Sequence, residues 1–201
     1  MQPLFRSAKP DDVAAALIYS AGPGPFEYGF TQGNRDARQF LNFAFAHGKG
    51  FFGWRNHTVA ILNDKVVGVG AFYSGREYNR LSLETTLQII RNYLPISALH
   101  VIRRSLQLSA LMPRPARSTH YIANLGVNPD FQGLGIGTAM LNHQKQVALE
   151  LGRHTMALDV SVENPRGQAL YERLGFNVTA EQSFPGRKDD VANSRRMELP
   201  L

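Results

Sequence analysis

Cysteine is absent from the 201 residues. That excludes disulfides, zinc–thiolate centres and a thiol nucleophile, and it accords with a reducing compartment. Long apolar runs are missing as well. No stretch approaches the roughly 20 residues that a membrane span needs. The opening residues, MQPLFRSAKPDD, lack the apolar core of a secretory leader. A soluble, cytoplasmic protein without a membrane partner is expected. The six histidines are scattered and form no HExxH pattern, so no metal site is expected. Internal repeats, linkers and low-complexity tracts are also lacking. The length is comfortable for one domain and short for two, so residues 1–201 read as a single domain.

Hydrophobic residues make up 43% of the chain, enough for a sizeable core without a covalent staple. The net charge of +6 is unevenly spread. Residues 76–118 carry 7 arginines against 2 glutamates, while residues 119–201 carry 8 basic and 9 acidic groups. Such a segment is either a solvated helical face or a surface for phosphates and carboxylates. It has no basic–aromatic stripe or nucleic-acid motif, so nucleic acid is not an expected partner.

Residues 10–20 read as an amphipathic helix, with Pro10, Asp11 and Asp12 at its start. Gly22-Pro23-Gly24-Pro25 stops it. Phe26 to Phe30 then form an aromatic loop, either a connector or a pocket wall. A second helix spans about Arg35 to His47, closed by Gly48. Residues 51–73 form a β-hairpin that turns at Asn63-Asp64. Phe51 and Trp54 read as core, and Gly68 and Gly70 as a bulge or a close backbone approach.

Leu83, Leu87, Ile90 and Leu94 repeat at helical spacing, as do Leu99, Ile102, Leu106 and Ala110 after Pro95. They predict two helices inserted at about 76–118. This insertion can lie over a sheet edge, cover a pocket or make a dimer contact. Strands follow at about 121–127, 154–162, 176–179 and 196–199. Helices follow the glycines near 135 and the Asn164-Pro165 pair. The order predicts an α/β fold: one mixed, mostly antiparallel sheet flanked by helices.

The most informative stretch is Gln132-Gly133-Leu134-Gly135-Ile136-Gly137. Glycines at a helix start lay bare backbone N–H groups for an anion. A Walker loop needs GxxxxGK[ST], and both the lysine and the spacing are missing. A Rossmann fingerprint needs GxGxxG directly after a strand. Here the spacing is GxGxG, and the strand ends earlier, at Asn128-Pro129.

Gln132, Gly135 and Gly137 resemble the coenzyme signature of the GNAT superfamily of acetyl-CoA-dependent N-acetyltransferases. Leu125 to Asp130 is similar to the end of that family's central strand and its turn. Asn164 to Phe176 (NPRGQALYERLGF) resembles its second signature, and Met197-Glu198-Leu199 its last strand. The resemblance is specific over residues 119–199 and leaves the 76–118 insertion outside. It implies acetyl-CoA as co-substrate and a GNAT-like fold. The N–H groups of Gln132, Gly133, Leu134, Gly135, Ile136, Gly137 and Thr138 would surround the pyrophosphate.

The reaction implied is direct attack of a primary amine on a thioester. The amine belongs to a small molecule or a peptide. A free alkylamine has a pKa of about 10, so a proton must leave before attack. The thioester carbonyl needs donors, and the departing thiolate needs a proton. The resemblance implies that Leu125 and Val127 offer backbone N–H groups from a bulged strand. It implies Tyr171 as the proton donor to sulfur, and Asn164 as a helix cap, a contact to the coenzyme arm, or both. For the general base, His120, Glu77, Glu84 and Glu27 are the nearest candidates. Asn124 cannot take a proton, and His143 reads as a packing residue. The arginine insertion hints at an acidic acceptor or a carboxylate-bearing acyl group. A homodimer is a possible assembly. The rival reading is a non-catalytic acyl-coenzyme A sensor or interaction module on the same fold.

Overall fold

The computed structural model describes residues 3–186 and 191–201. Seven strands form one open sheet: β1 (Leu4–Ser7), β2 (His57–Leu62), β3 (Lys65–Tyr73), β4 (Thr119–Val127), β5 (Thr155–Ser161), β6 (Asn177–Gln182) and β7 (Ser194–Pro200). Their order is β1-β2-β3-β4-β5-β7-β6. Only β4 and β5 run parallel; the other neighbours are antiparallel. The helices are α1 (Ala15–Ser20), α2 (Pro23–Phe30), α3 (Ala37–His47), α4 (Tyr78–Asn92), α5 (Pro95–Ser109), α6 (Ile136–Glu150) and α7 (Pro165–Arg173). The mixed, mostly antiparallel sheet flanked by helices is the architecture the sequence predicts.

Strand alternation sorts the layers. Val59 and Val69 face α1 and α3, while Ala60 and Val67 face α6 on the other side. The hairpin turns at Asn63 and Asp64, whose φ values of 50° and 58° suit a two-residue turn that matches strand twist. Its first strand starts at His57, not at Phe51, because residues 51–56 make a turn and a short 3-10 helix. Phe51 and Trp54 are half-buried against the core. Gly68 combines both expected roles. A bulge lies beside it, and a Cβ there would meet Ile136 Cγ2 of α6 at 3.2 Å.

Three expectations are corrected. First, α1 starts at Ala15, not near Pro10. Asp12 instead accepts from Arg6 and from Lys9 N–H, which closes a turn ahead of the helix. Second, Gly22-Pro23-Gly24-Pro25 does not lead into a loop. Pro23 occupies the first turn of α2, where its missing N–H costs nothing, and the aromatic run is helical. Third, the predicted stripe of α4 faces outward, and that of α5 is divided: Leu99 and Leu106 are exposed while Ile102 packs on the core. Leu83, Leu87, Ile90 and Leu94 are 61%, 43%, 53% and 78% exposed. The inner face of α4 is largely polar because it meets the backbone of residues 49–51. There Glu84 and Thr85 accept the N–H groups of Gly50 and Phe51, and Gln88 donates to Lys49 O. That backbone lacks strand partners, so side chains satisfy it.

α3 begins with a capping box between Asp36 and Gln39. Gly48, at φ 80°, ends it as expected. α5 packs on α2, and α4 packs on α3 and α5. The insertion therefore roofs one face of the sheet. Among the described residues, no helix is long and apolar enough to cross a membrane.

Candidate active site

Parallel strands β4 and β5 pair only from Thr119 to Ile122 and from Thr155 to Leu158. Both continue, to Val127 and Ser161, without pairing to each other. The sheet is thus split. β4 carries a bulge at the split, because Val69 faces Gly126 while Ala71 faces Ala123. The extra residue is accommodated by Asn124, in the left-handed region at φ 53°. The bulge tilts the backbone of residues 123–126 out of the regular ladder. Gly126 is needed there as well, because a Cβ would run into Leu17 O of α1.

A cavity of about 1160 Å3 extends from the split. Asn124, Leu125, Asn164 and Tyr171 border it from β4 and α7. Phe26, Phe52, Ile89, Ile102 and Leu108 border it from α2, α4, α5 and the turn before β2. The structure thus brings Leu125, Asn164 and Tyr171 together. Val127 and residues 132–138 lie outside the cavity lining, at the head of α6. Gln132 Nε2 donates to Val127 O at 3.3 Å, which ties that loop to the end of β4.

The loop itself has the properties of an anion cradle. Gln132 N–H bonds Pro129 O, and Ala139 N–H bonds Gly135 O. The N–H groups of residues 133–138 have no backbone carbonyl between those two, among the described residues. Gly133 and Gly135 hold φ of 79° and 77° with open space where a Cβ would stand. Gly135 caps α6 with no side chain on its free N–H groups. Gly137 differs. Its Cβ would meet Leu170 Cδ2 at 3.4 Å, an ordinary contact, so its missing side chain borders α7 and not the open side of the loop. The free donors and the helix's positive end fit the diphosphate of a coenzyme A.

Tyr171 sits half-buried on α7, edge-on to Phe176 with ring centroids 6.1 Å apart. Burial pushes its phenol up to about 12, so it holds its proton at neutral pH. Asn164 caps α7, its Oδ1 accepting from Gly167 N at 2.9 Å, and it also borders the cavity. Both proposed uses of Asn164 are compatible with one position.

The expected base candidates do not reach the cavity. His120 lies on the α6 side, bonded to Gln144 Oε1 at 2.9 Å and stacked on Phe72. Glu77 caps Ser74. Glu84 holds Gly50 N and Arg80, and Glu27 bonds Tyr19 and Thr31. None of the four lines the cavity. His143 stacks on Phe5 as a packing residue, with centroids 4.8 Å apart.

Sequence reading missed the buried polar group of the wall. Asp159 on β5 accepts from Tyr121 Oη at 2.6 Å and from Arg196 Nε and Nη2 at 2.9 and 2.8 Å. Asp159 and Tyr121 border the cavity. The signal was present in one place: an acid at 159, out of phase with apolar Leu158 and Val160.

The inserted arginines also stand elsewhere. Arg104 donates to Thr31 O and Gln32, Arg114 to Gly75 O, and Arg80 pairs with Glu84. None of the seven lines the cavity, which removes the basis for an acidic acceptor. Among the described residues, no group of three or more acids or histidines could hold a metal ion.

A split sheet with a bulged lip thus stands beside a helix start with bare N–H groups. Residues 18–176 match the acetyltransferase (GNAT) family, and the chain belongs to that family. The ribosomal protein bS18-alanine N-acetyltransferase of Escherichia coli K12 is 35% identical over 79 residues, 39% of this chain and 53% of that protein. The chain thus matches about half the length of that curated relative. An N-acetyltransferase from Staphylococcus aureus Mu50 shares the fold with a TM-score of 0.74 at 16% identity, covering 98% of this chain and 100% of that one. A structure from Salmonella typhimurium, described with its cofactor acetyl-CoA, has a TM-score of 0.53 at 20% identity and covers 100% and 95%.

Proposed function

We propose that the protein moves an acetyl group from acetyl-CoA to a primary amine of a small molecule or peptide by direct attack. The observation that carries this is the split between β4 and β5, with Tyr171 and the bulge at its edges and free N–H groups beyond it. Bound acetyl-CoA would supply the thioester carbonyl as electrophile. The N–H groups of residues 133–138 hold the diphosphate, and the helix start adds its dipole. The unpaired edge of β4, at Leu125 and Val127, offers backbone donors to the pantetheine arm and the carbonyl. Asn164 keeps the start of α7 in place. The amine enters neutral, its ammonium proton already lost to bulk water; Tyr171 Oη gives its proton to the departing thiolate and regains one from the nitrogen of the tetrahedral adduct. The roof of α2, α4 and α5 excludes water from the acceptor side.

Isothermal titration with acetyl-CoA, followed by free-thiol release with a panel of amines, tests this. Binding and amine-dependent thiol release are expected. No binding at millimolar ligand would sink the proposal. Tight binding with no thiol release would favour a coenzyme sensor. The exposed stripe of Leu83, Leu87 and Ile90 supports self-association into a homodimer. Sedimentation that stays monomeric across a concentration series removes that part.

A further inference from the structure

We infer that the acceptor amine is carried on an apolar body, aromatic or long-chain aliphatic, seated beneath α2, α4 and α5. This rests on the acetyl-transfer reading and names its substrate class. Beneath α2, α4 and α5 the cavity is lined by Phe26, Phe52, Ile89, Ile102 and Leu108, with uncharged hydroxyl side chains of α4 and α5 between them. No lysine, arginine or histidine lines the cavity among the described residues. An amino acid or acidic peptide would bring a carboxylate against walls on which no described residue supplies a cation, at a high desolvation cost. A polyamine would need several free carboxylates. Of the two acids on the lining among the described residues, Asp159 is already bound by Arg196 and Tyr121, and Glu163 stands beside Asn164 at the coenzyme end.

Size points the same way. The cavity of about 1160 Å3 exceeds the usual span of small-molecule sites, roughly 300–1,000 Å3. After the thioester end is filled, ample room remains for a body larger than the amine itself. Apolar walls reward apolar surface. Each methylene buried there raises transition-state binding about 4-fold. The amine nitrogen stays at the split, near Leu125 and Tyr171, and the body extends toward α5.

An n-alkylamine series from propylamine to octylamine, with phenethylamine, glycine and spermidine as comparators, tests this by thiol release. Acetyl-CoA affinity is measured in parallel by titration calorimetry. The expected result is a kcat/KM that climbs about 4-fold per methylene until the space is full, with glycine and spermidine far below. Two variants move the limit in opposite directions. Ser105→Phe places bulk on the cavity face of α5 and should lower kcat/KM most for the longest amines. Ile102→Ala should shift the optimum to longer ones. Both should keep acetyl-CoA affinity within about 3-fold. A flat series, a preference for glycine or spermidine, or a gain with longer acyl chains in place of longer amines overturns the inference. In those cases coenzyme binding and thiol release still uphold acetyl transfer. Loss of coenzyme binding in the parent protein overturns both.

Discussion

Tyr121 donates its phenolic hydrogen to Asp159 Oδ2 at 2.6 Å, across the point where β4 and β5 part. Arg196 on β7 holds the same carboxylate with two bonds and lies over the Tyr121 ring, 5.3 Å from its centroid. The Asp159 side chain is only 1% exposed. Burial pushes the carboxyl up, and the bonds from Arg196 and Tyr121 pull it back only in part. The three groups fasten β4, β5 and β7 together beside the opening, so the split has a fixed depth.

Asp159→Asn tests that fastening. The amide keeps the shape but strands the Arg196 cation in a buried place. A loss of about 3–5 kcal/mol in unfolding free energy is expected. It should appear as a lower urea midpoint with an unchanged slope. A loss below about 1 kcal/mol would show that the pair adds no more than a surface salt bridge.

Tyr171→Phe separates proton donation from coenzyme binding. The ring packing on Phe176 survives the change. Turnover should fall about 100-fold, the lower range for a lost general acid. Acetyl-CoA affinity should stay within about 3-fold. Weaker coenzyme binding at unchanged turnover would assign the hydroxyl to binding instead.

His57 sets a pH-dependent cost. It is buried, its Nδ1 lies 2.9 Å from Gly53 O, and its Nε2 has no partner among the described residues. Burial lowers it to about 4, below the 6.5 of an exposed histidine. The folded state therefore binds this proton less readily than the unfolded state. Stability from this group is complete above pH of about 6.5 and falls as pH drops toward about 4, by roughly 3 kcal/mol in all. His120 is shifted the same way by burial. Urea unfolding between those pH values should show a shallower slope for His57→Asn, which keeps a donor for Gly53 O. An identical slope would mean that His57 is not held neutral.

Local chemistry made part of this legible in the sequence. Asn63-Asp64 demanded a tight turn, Gly48 a helix end, and the glycines before α6 a bare helix start. What depended on distant partners was not legible. The period of Leu83, Leu87 and Ile90 announced a helix but not which face is inward. The backbone of residues 49–51 decides that by drawing in Glu84, Thr85 and Gln88. The prolines at 23 and 25 read as a stop because their missing N–H groups break a helix interior, yet the same absence suits a helix start. Asp159, Tyr121 and Arg196 come from three strands, and only the sheet register assembles them.

The glycines of the loop divide into two kinds. Gly135 holds φ of 77° with open space around its missing Cβ, whereas Gly137 has ordinary helical geometry and abuts Leu170. Gly135→Ala should cost about 1–2 kcal/mol of stability, because alanine is strained in the left-handed region. It should also lower acetyl-CoA affinity at least 10-fold as the loop relaxes away from the donor geometry. Gly137→Ala places its methyl against Leu170, not toward the open side, and removes a flexible residue from a helix. Its stability should be unchanged or higher by about 0.5–1 kcal/mol, with acetyl-CoA affinity within about 3-fold. Thermal melts and calorimetric titration of both variants check the division. Equal losses of affinity would show instead that Gly137, like Gly135, must leave room for the ligand.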